Sequence, residues 1–474
     1  MSMISFKRID GSSVEISADA LQAFKTTFRG TVLAADDPPY DEVRQVWNAM
    51  IDRRPALIAR CSGTVDVVRA VQFAHEHRIV NSVRGGGHNI AGLAVCDGGL
   101  MIDLSLLRGV WVDAAERVCR AQAGCTLGDV DRETQLHGLA AVLGFVSATG
   151  IAGLTVGGGF GYLTRRHGWT CDNVISMDVV TAEGQVVRAS ADENADLFWA
   201  LRGGSGNFGI VTSFEYRLHT VGPEILGGAI AWSADESQQV LEAFAALGAE
   251  APRELTSVAV LRTAPLAPWL PKAMHGQPIV AIFVCYTGPA AQGEALLAPL
   301  RRVGKPVADI VTRRPYTQMQ SLLDATQPKG RRYYWKSHYL PDIDARLIDV
   351  AIEHARRFQS PHSAILMFQI GGALNELPAD HCPAGNRDAG FVLNITGSWE
   401  RAEDDAANMR WARECFEAAK PCATGGTYVN FLNDDDGAER VEAAYGAPML
   451  HRLAVLKRRY DPDNVFCHTK SVIG

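Results

Sequence analysis

Apolar residues in the first part of the chain recur with two different periods. Between Asp66 and His77 they lie at Val67, Val68, Val71 and Phe73, which is a helical period. Short apolar runs bounded by polar residues predict strands at Leu100–Leu104, Val110–Asp113 and Val118–Ala121. This alternation of helices and strands is typical of a mixed α/β domain.

The pattern changes near residue 220. Between about 222 and 425, glycine clusters become rare and polar helices separate apolar runs. These runs predict strands at Gly228–Trp232, Ile279–Tyr286, Ala364–Ile370 and Phe391–Ser398. We therefore predict a second domain, built as a sheet with helices on one side. After it, a single helix is predicted from about Gly437 to Arg459, where Asp461-Pro462 would end it.

Composition limits the classes of protein to which the chain belongs. Its 474 residues suggest two or three domains, and 47% hydrophobic with 21% charged residues is typical of a folded globular protein. A net charge of −7 argues against a nucleic-acid-binding protein. Neither a signal peptide nor an apolar run of membrane-spanning length is evident, so we expect a cytoplasmic protein. The ten scattered cysteines are then expected to be reduced thiols, with structural disulfides as the alternative.

The segment Arg84-Gly85-Gly86-Gly87-His88-Asn89 follows a strand-like run. Three consecutive glycines carry no Cβ, so their backbone can adopt positive φ and bring N–H groups against a ligand. Successive amides of this kind form an anion-binding concavity, beside which Arg84 provides a fixed cation. We predict a phosphate or pyrophosphate site with the nucleophilic imidazole of His88 at its end. For this segment alone, an ordinary loop is the alternative interpretation.

A second candidate nucleotide-binding motif lacks the order of flanking elements that it requires. Gly204-Ser205-Gly206-Asn207-Phe208-Gly209 matches the GxGxxG pattern of dinucleotide-binding proteins. That motif requires a strand before it and a helix after it, because the pyrophosphate sits at the helix N-terminus. Here a predicted helix at Asn194–Arg202 precedes the glycines and a predicted strand at Ile210–Tyr216 follows them. The order excludes a Rossmann domain, and we expect this turn to approach an adenine or ribose instead.

Taken together, the motifs resemble the berberine-bridge-enzyme-like oxidases of the vanillyl-alcohol-oxidase superfamily. The matching segments follow the same order along nearly the whole chain, at Val83–Gly92, Thr149–Gly153, Gly157–Gly161, Gly203–Val211, Tyr428–Phe431 and Tyr460–Phe466. The resemblance implies an α+β class and a two-lobed PCMH/vanillyl-alcohol-oxidase-type fold. It implies an FAD-binding lobe at 1–220 and a substrate lobe at 221–425, whose antiparallel sheet is covered by helices. The segment 426–474 would return to the FAD lobe.

The resemblance also implies FAD as the cofactor, bonded through the 8α-methyl carbon of the flavin to His88. Relatives with a second bond place a cysteine where this chain has Val146, and valine cannot form a thioether, so a single covalent attachment is implied. Thr469-Lys470-Ser471 replaces an Asn-x-Asn pair of relatives and leaves the flavin contacts there open. No metal site is predicted. The implied cofactor-binding residues are Arg84, Gly85, Gly86, Gly87, His88, Asn89, Val146, Thr149, Gly150, Gly153, Gly157, Gly158, Gly159, Gly161, Ile210 and Asn430.

Hydride removal from a substrate requires a base that takes the accompanying proton. Tyr428 is the first candidate because several relatives have a tyrosine base at this place, and Arg or Lys neighbours are expected to lower its pKa. A tyrosine packed between the lobes is the alternative. Gln369 and Asn394 are further candidates, because period-two alternation puts each on one face of a sheet, beside Met367 and Thr396 respectively. Structural hydrogen bonding is the equal alternative for both.

These features predict an FAD-dependent oxidase that removes a hydride from an alcohol, sugar, amine or phenol-derived small molecule and reduces O2 to hydrogen peroxide. The aromatic-rich run Tyr333–Tyr339 could stack on a flat or sugar-like substrate. Two alternatives stay open: a flavin dehydrogenase that passes electrons to another acceptor, and a protein that uses flavin without redox chemistry. Neither a nucleic acid nor a membrane is an expected partner, and the sequence leaves the oligomeric state open.

Overall fold

The computed structural model describes residues 3–473 and places two sheet-based lobes side by side. The first lobe precedes Val221 and contains four sheets. Its strands are β1 Ile4–Lys7, β2 Ser13–Ile16, β3 Thr31–Leu33, β4 Leu57–Arg60, β5 Asn81–Arg84, β6 Leu100–Asp103, β7 Val110–Asp113, β8 Val118–Gln122, β9 Leu139–Ala140, β10 Val174–Val180, β11 Val186–Ser190, β12 Ile210–Arg217 and β13 His219–Thr220. Its helices are α1 Ala18–Thr26, α2 Tyr40–Val43, α3 Thr64–Glu76, α4 Leu127–Gln135, α5 Ile151–Val156, α6 Thr164–His167 and α7 Ala195–Leu201.

The two larger sheets of the first lobe differ in strand direction. One has the order β3-β4-β6-β5, in which β6 pairs in parallel with both β4 and β5. The other is antiparallel, with the order β11-β10-β12-β8-β7. Helix α3 supplies apolar side chains to the core of this lobe, which explains its helical period of buried residues. Strand β5 ends at Arg84, so the glycine run begins at the edge of the parallel sheet.

The second lobe is organised around one antiparallel sheet of eight strands, ordered β17-β14-β16-β15-β20-β21-β19 with β18 paired to β14. The strands are β14 Glu224–Ser233, β15 Leu255–Thr263, β16 Pro278–Tyr286, β17 Ala308–Asp309, β18 Thr312–Pro315, β19 Arg332–Leu340, β20 Ala364–Gln369 and β21 Phe391–Trp399. The helices are α8 Ser237–Glu250, α9 Ala290–Arg301, α10 Tyr316–Gln320, α11 Ala345–Ala355 and α12 Asp405–Ala419. The α+β class with an antiparallel sheet covered by helices is confirmed.

The two faces of the large sheet bury different partners. On one face, Met367, Leu393 and Ile395 share an apolar cluster with the helices α8, α11 and α12. On the other face, Leu366 and Phe368 join a cluster that includes first-lobe residues. Because successive strand residues point to opposite faces, each side chain of β20 and β21 faces either the helices or the first lobe.

The C-terminal segment packs back onto the first lobe. Helices α13 Ala438–Tyr445 and α14 Ala447–Tyr460 follow a short 3-10 turn at Val429–Phe431, and α14 packs against α7. The single helix predicted here is wrong, because Gly446 adopts φ +77° and separates the two helices. In the region that the structure describes, none of the helices combines the length and apolar composition that crossing a bilayer requires.

Candidate active site

Two glycine loops meet at the base of the site. Gly86, after β5, and Gly150, before α5, face each other so closely that a Cβ on Gly86 would lie 2.4 Å from the Gly150 nitrogen. Gly87 adopts φ +71°, which an L side chain rarely tolerates. Any residue larger than glycine at 86 or 150 would push these backbones apart. The packing of the two loops thus explains both glycines without reference to a ligand.

A cavity of about 330 Å³ opens from these loops and is walled by both lobes and the C-terminal segment. Gly153 and Gly206 lie along it, and a Cβ at either position would project into open space. Several buried polar atoms of lining residues also lack a hydrogen-bond partner, which is uncommon in proteins unless a ligand or water completes them. These atoms are Asn81 Oδ1, Gln327 Oε1, Trp335 Nε1 and Asn394 Nδ2.

Most of the predicted cofactor-binding residues line this cavity. Those that do are Gly85, Gly86, Gly87, His88, Asn89, Val146, Thr149, Gly150, Gly153, Ile210 and Asn430. Arg84 does not, contrary to the prediction of a cation beside the glycines. Its guanidinium donates to the Val43 carbonyl, and its Nε lies 3.8 Å from Oδ1 of the buried Asp103. Asp103 is also paired with Arg60, whose Nε lies 3.2 Å from Oδ2, and the contacts of Arg84 with Val43 and Asp103 place its guanidinium outside the cavity lining.

None of the glycines of the second run, Gly157 to Gly161, is among the described lining residues; Gly157 packs against the C-terminal segment and Gly161 against the first lobe. A Cβ on Gly157 would overlap the Asn430 amide at 2.2 Å, and one on Gly161 would overlap the Leu143 carbonyl oxygen at 1.9 Å. Gly158 and Gly159 both adopt positive φ, at +109° and +82°. These glycines therefore bring the backbone close enough to position Tyr428 and Asn430.

Tyr428 lies at the junction of the two lobes, 4% exposed, and lines the cavity. Its hydroxyl oxygen accepts hydrogen bonds from the Gly159 backbone N–H at 3.1 Å and from Asn430 Nδ2 at 2.9 Å. Its ring lies parallel to Trp169, at 6.4 Å between centroids. Because both bonds are received, the hydroxyl proton is free to point to a third acceptor.

The electrostatic surroundings of Tyr428 differ from the prediction. Burial raises the pKa of Tyr428 above its ordinary value, and the bonds from Asn430 and Gly159 oppose this rise only in part. The expected Arg or Lys neighbour that lowers the pKa is not among the causes, so that prediction is wrong. Asn430 reaches the hydroxyl from a 3-10 turn, not from the extended segment that the sequence suggested.

His88 ends the first glycine loop and its ring stacks on Trp47, with centroids 4.8 Å apart and planes at 19°. Trp47 in turn stacks on Tyr333 at 3.7 Å and donates its indole N–H to the Gln327 carbonyl. Burial lowers the pKa of His88 to about 4, so the imidazole is neutral at pH 7. The result is an oriented, nucleophilic imidazole at the cavity wall.

The structure separates the other two catalytic candidates. Asn394 lines the cavity beside Thr396, whose hydroxyl donates to Asn394 Oδ1 and leaves Nδ2 without a partner. Gln369 lies on the opposite face of the sheet, where its Oε1 accepts from Ser257 Oγ at 2.7 Å and its Nε2 donates to the Gly248 carbonyl at 2.8 Å. Its amide is thus satisfied by the helix side of the lobe, and the structure does not bring Gln369 to the cavity.

Two residues that support the site were not predicted from the sequence. Trp47 carried no motif, and only the stack on His88 identifies it. Lys457, from α14, is 1% exposed and donates to Asp461, to the Asn207 carbonyl and to the Phe466 carbonyl. It joins the C-terminal segment to the Gly203–Gly209 turn. The helical pattern around Lys457 does not indicate that this lysine is buried. The position of Asp461, four residues later, does indicate an ion pair with it.

These features fit FAD. The glycines that face open space leave room for a polar ligand close to the backbone. The buried polar atoms along the cavity that lack a hydrogen-bond partner can bind such a ligand. Among the described residues that line the cavity there is no carboxylate, and Lys470 contributes an ammonium group. Such a lining suits the anionic pyrophosphate of a dinucleotide.

Comparison with known proteins identifies the family. Residues 55–190 match the model of an FAD binding domain, and residues 427–473 match "Berberine and berberine like". The chain is 31% identical to (R)-6-hydroxynicotine oxidase of Paenarthrobacter nicotinovorans over 456 residues, which cover 94% of this chain and 97% of that protein. It is 29% identical to an FAD-linked oxidoreductase of Dictyostelium discoideum, over 95% and 96% of the two chains.

Solved structures agree with this result. The crystal structure of 6-hydroxy-D-nicotine oxidase from Arthrobacter nicotinovorans matches with a TM-score of 0.81 and 28% identity, covering 94% of this chain and 98% of that one. BBE-like 1 of Physcomitrella patens shares the fold at a TM-score of 0.84 and 21% identity, over 94% and 97% of the chains. The protein is therefore an FAD-linked oxidoreductase with the two-lobed PCMH-type fold, and it belongs to the berberine-bridge-enzyme-like family.

Proposed function

We propose that this protein is an oxidase that removes a hydride from a small, largely apolar alcohol or neutral amine and reduces O2 to hydrogen peroxide. The observation that carries the proposal is the cavity, which joins the glycine loops to an apolar wall with one unpartnered amide. Bound FAD would supply the hydride acceptor and the site of O2 reduction. The chain's own residues would hold the cofactor, orient the substrate and move the proton.

The first lobe and the C-terminal segment would hold the FAD. We assign the FAD lobe to residues 1–220, the substrate lobe to 221–425 and the returning segment to 426–474. Gly85–Gly87 and Gly150–Gly153 would bind the pyrophosphate through backbone amides. His88 would carry a single covalent bond to the flavin 8α-methyl carbon, because its imidazole is neutral and fixed by stacking. Val146 lines the cavity but has no thiol, and no cysteine is among the described lining residues.

The second-lobe wall indicates the chemical class of substrate. Apart from neutral polar groups it is formed by apolar side chains, and no charged residue of this lobe is among the described lining residues. Its members are Leu323, Thr326, Gln327, Trp335, Leu366, Phe368, Asn394 and Thr396. A charged substrate would lose hydration here without an opposite charge in return. The free Asn394 Nδ2 would donate to an oxygen or nitrogen of the substrate.

Tyr428 is the best-placed group to take the substrate proton. Of the described residues that line the cavity none is Asp or Glu, and His468 is engaged with the Val95 carbonyl and Arg53. The two hydrogen bonds that the Tyr428 oxygen already receives would stabilise the phenolate formed when it acts as a base. Asn430 would then be a positioning residue, because it acts through Tyr428.

A substrate panel under air tests the proposal. Primary alcohols, cyclic and aromatic amines including 6-hydroxynicotine, and oligosaccharides are compared by peroxidase-coupled detection of hydrogen peroxide. We expect peroxide from apolar alcohols or amines and none from oligosaccharides. If a substrate bleaches the flavin anaerobically and O2 does not then reoxidise the reduced flavin, the protein is a dehydrogenase instead. Absence of bleaching by every compound class would contradict the proposed activity.

Two variants locate the substrate contact. Asn394→Leu should raise KM at least 10-fold with a smaller change in kcat, since a neutral hydrogen bond contributes about 1 kcal/mol and an unpaired partner costs about 1–3 kcal/mol more. Gln369→Leu is the matched control, because Gln369 is a buried amide on the other face of the same sheet. It should lose stability and keep KM. Equal KM values for both variants would remove Asn394 from the substrate site.

A further inference from the structure

Two thiols from different lobes meet behind Tyr428. Cys171 lies in the 3-10 turn Thr170–Asn173 of the first lobe, and Cys382 lies in the connection between β20 and β21 of the second. Both side chains are fully buried, and their Sγ atoms are 3.9 Å apart. No other pair of sulfurs is in hydrogen-bond contact between residues 3 and 473. The flavin site as described above uses neither thiol.

A buried arginine is fixed beside this pair. Arg387 donates to Cys382 Sγ at 3.1 Å and forms two bonds to the Asp172 carboxylate, at 3.0 and 2.7 Å. Burial and the charge of Asp172 raise the pKa of Cys382, but the hydrogen bond from Cys171 and the charges of Arg387 and Arg202 outweigh them, so the pKa lies below the usual value. Burial raises the pKa of Cys171. Of the two thiols, Cys382 therefore loses its proton more readily.

We infer that Cys171 and Cys382 form a peroxide-responsive dithiol, which closes to a disulfide that joins the two lobes beside Tyr428. The inference rests on the proposed oxidase function, since that activity supplies the hydrogen peroxide. A metal site is the competing use of the same atoms, because the ligand atoms of Cys171, Asp172 and Cys382 lie within 4.8 Å of one another. The guanidinium of Arg387 opposes it, because it contacts two of the three ligands and would face the metal charge.

The chemistry consumes one peroxide per disulfide. The Cys382 thiolate attacks one oxygen of hydrogen peroxide and the O–O bond breaks, which gives a sulfenic acid; the leaving hydroxide takes up the proton that Cys382 released on ionisation and becomes water. The Cys171 sulfur then attacks the sulfur of that sulfenic acid, the S–O bond breaks, and the departing hydroxide takes the Cys171 proton as water. In total two sulfurs give up two electrons, and the peroxide is reduced to two molecules of water. No further oxidant is needed.

A small cavity lies close to the thiols, although neither Cys171 nor Cys382 is among the described residues that line it. Its volume is about 10 Å³, near the minimum for one water-sized molecule, and its lining includes Trp169, Pro383 and Tyr428. Tyr428 and Val429 line both this cavity and the main cavity. The backbone N–H of Cys171 donates to the Gly158 carbonyl at 2.9 Å, within the glycine run that positions Tyr428. A disulfide here would stiffen that run and lower the rate of catalysis.

Mass spectrometry of the full-length holoenzyme tests the inference. Reduced protein is treated with hydrogen peroxide at a few equivalents, quenched in acid, alkylated and digested without reductant. We expect a Cys171–Cys382 cross-linked peptide two hydrogens lighter than its separate parts, two fewer alkylated thiols, a rise in Tm of several degrees and reversal by dithiothreitol. Cys382→Ser and Cys171→Ser should abolish the link. Cys285→Ser, which removes a buried thiol without a sulfur partner, should retain it.

A second arm separates this inference from the proposed function. The same peptide should form during turnover with substrate and O2, and catalase should prevent it. Failure of added peroxide to form the link in the wild-type protein would overturn the dithiol, whatever the enzyme oxidises. Stoichiometric zinc in freshly purified protein would overturn it in favour of a metal site. A link formed by added peroxide but never during turnover would refute the supply of peroxide by the oxidase and leave the thiol chemistry standing.

Discussion

Replacing Tyr428 by phenylalanine tests directly whether Tyr428 accepts the substrate proton. The change keeps the ring, and with it the packing on Trp169, Phe160 and Phe431. It removes only the oxygen that receives bonds from Gly159 and Asn430. A general base contributes roughly 10²–10⁴-fold to rate, so we expect kcat to fall by that factor while FAD content is unchanged.

The structure also sets the cost in stability. The Gly159 N–H loses its partner in a buried position, which costs about 1–3 kcal/mol of unfolding free energy. Asn430 keeps its 3.2 Å bond to the Gly153 carbonyl and contributes less to the loss. Denaturant titration of the holoenzyme measures this cost separately from the rate. A variant that loses activity only because it unfolds would show a much larger loss of stability.

The pH dependence gives an independent readout. Phenolate is the active form of a tyrosine base, and burial raises the pKa of Tyr428, so only a small fraction is active at neutral pH. The kcat/KM of the wild type should therefore rise about tenfold per pH unit above pH 7, and Tyr428→Phe should lose this rise. Tyr339→Phe is the matched control, because Tyr339 is also buried and packs at 6.4 Å from the same Trp169 ring. A fall in rate of less than about 10-fold, or an unchanged pH profile, would refute the assignment.

Four further predictions address the cofactor and the fold. His88→Ala should retain FAD non-covalently, so that acid precipitation releases all flavin into the supernatant, whereas the wild type should keep its colour in the pellet. Mass spectrometry of the native protein should find the flavin on the His88 peptide alone. Val146→Cys should fold, with a loss of stability below about 1.5 kcal/mol, and mass spectrometry should show a second bond from its cysteine to the flavin. Burial lowers the pKa of His338 to about 4, so on acidification protons bind this residue in the unfolded chain before they bind it in the folded protein. Through this residue, acidification from pH 6.5 to 4 should lower the free energy of unfolding by about 3 kcal/mol. Denaturant titrations of His338→Gln should lack this contribution. Lys457→Met should lose about 3–5 kcal/mol by leaving Asp461 buried and unpaired, and adding Asp461→Asn should recover part of this loss in the same measurement.

Family, cofactor class and fold class could be predicted from local sequence. The glycine loops require backbone that no other residue permits, as the 2.4 Å approach of Gly86 and Gly150 shows, and such requirements are written into residue identity at fixed positions. The strand at Ile279–Tyr286 was found because burial on both faces leaves a continuous apolar run, and the strand at Phe391–Ser398 was found from Phe391–Leu393 and Ile395 although polar residues follow. The strand Leu255–Thr263 was missed, although its apolar positions are equally buried, because its uninterrupted apolar run spans only Val258–Leu261.

The chemistry of individual side chains depended on partners distant in sequence. Period-two alternation correctly paired Gln369 with Met367, but which face meets the first lobe is set by how the lobes pack, and that face carries Phe368 instead. Arg84 was predicted at the cavity because its neighbours are there, but its guanidinium contacts the Val43 carbonyl and the Asp103 carboxylate instead. Likewise, Cys171 and Cys382 are 211 residues apart in the chain and carried no recognisable spacing.

The sequence by itself thus determined where the backbone must turn tightly, which segments are apolar enough to form a core, and hence the family. Only the tertiary structure decided which side chains meet, and with that the pKa of Tyr428, the neutral state of His88 and the pairing of the two thiols. The physical reason is one of range. Backbone conformation and hydrophobic periodicity depend on residues within one helix or strand, whereas desolvation and charge act through space between elements that only folding brings together.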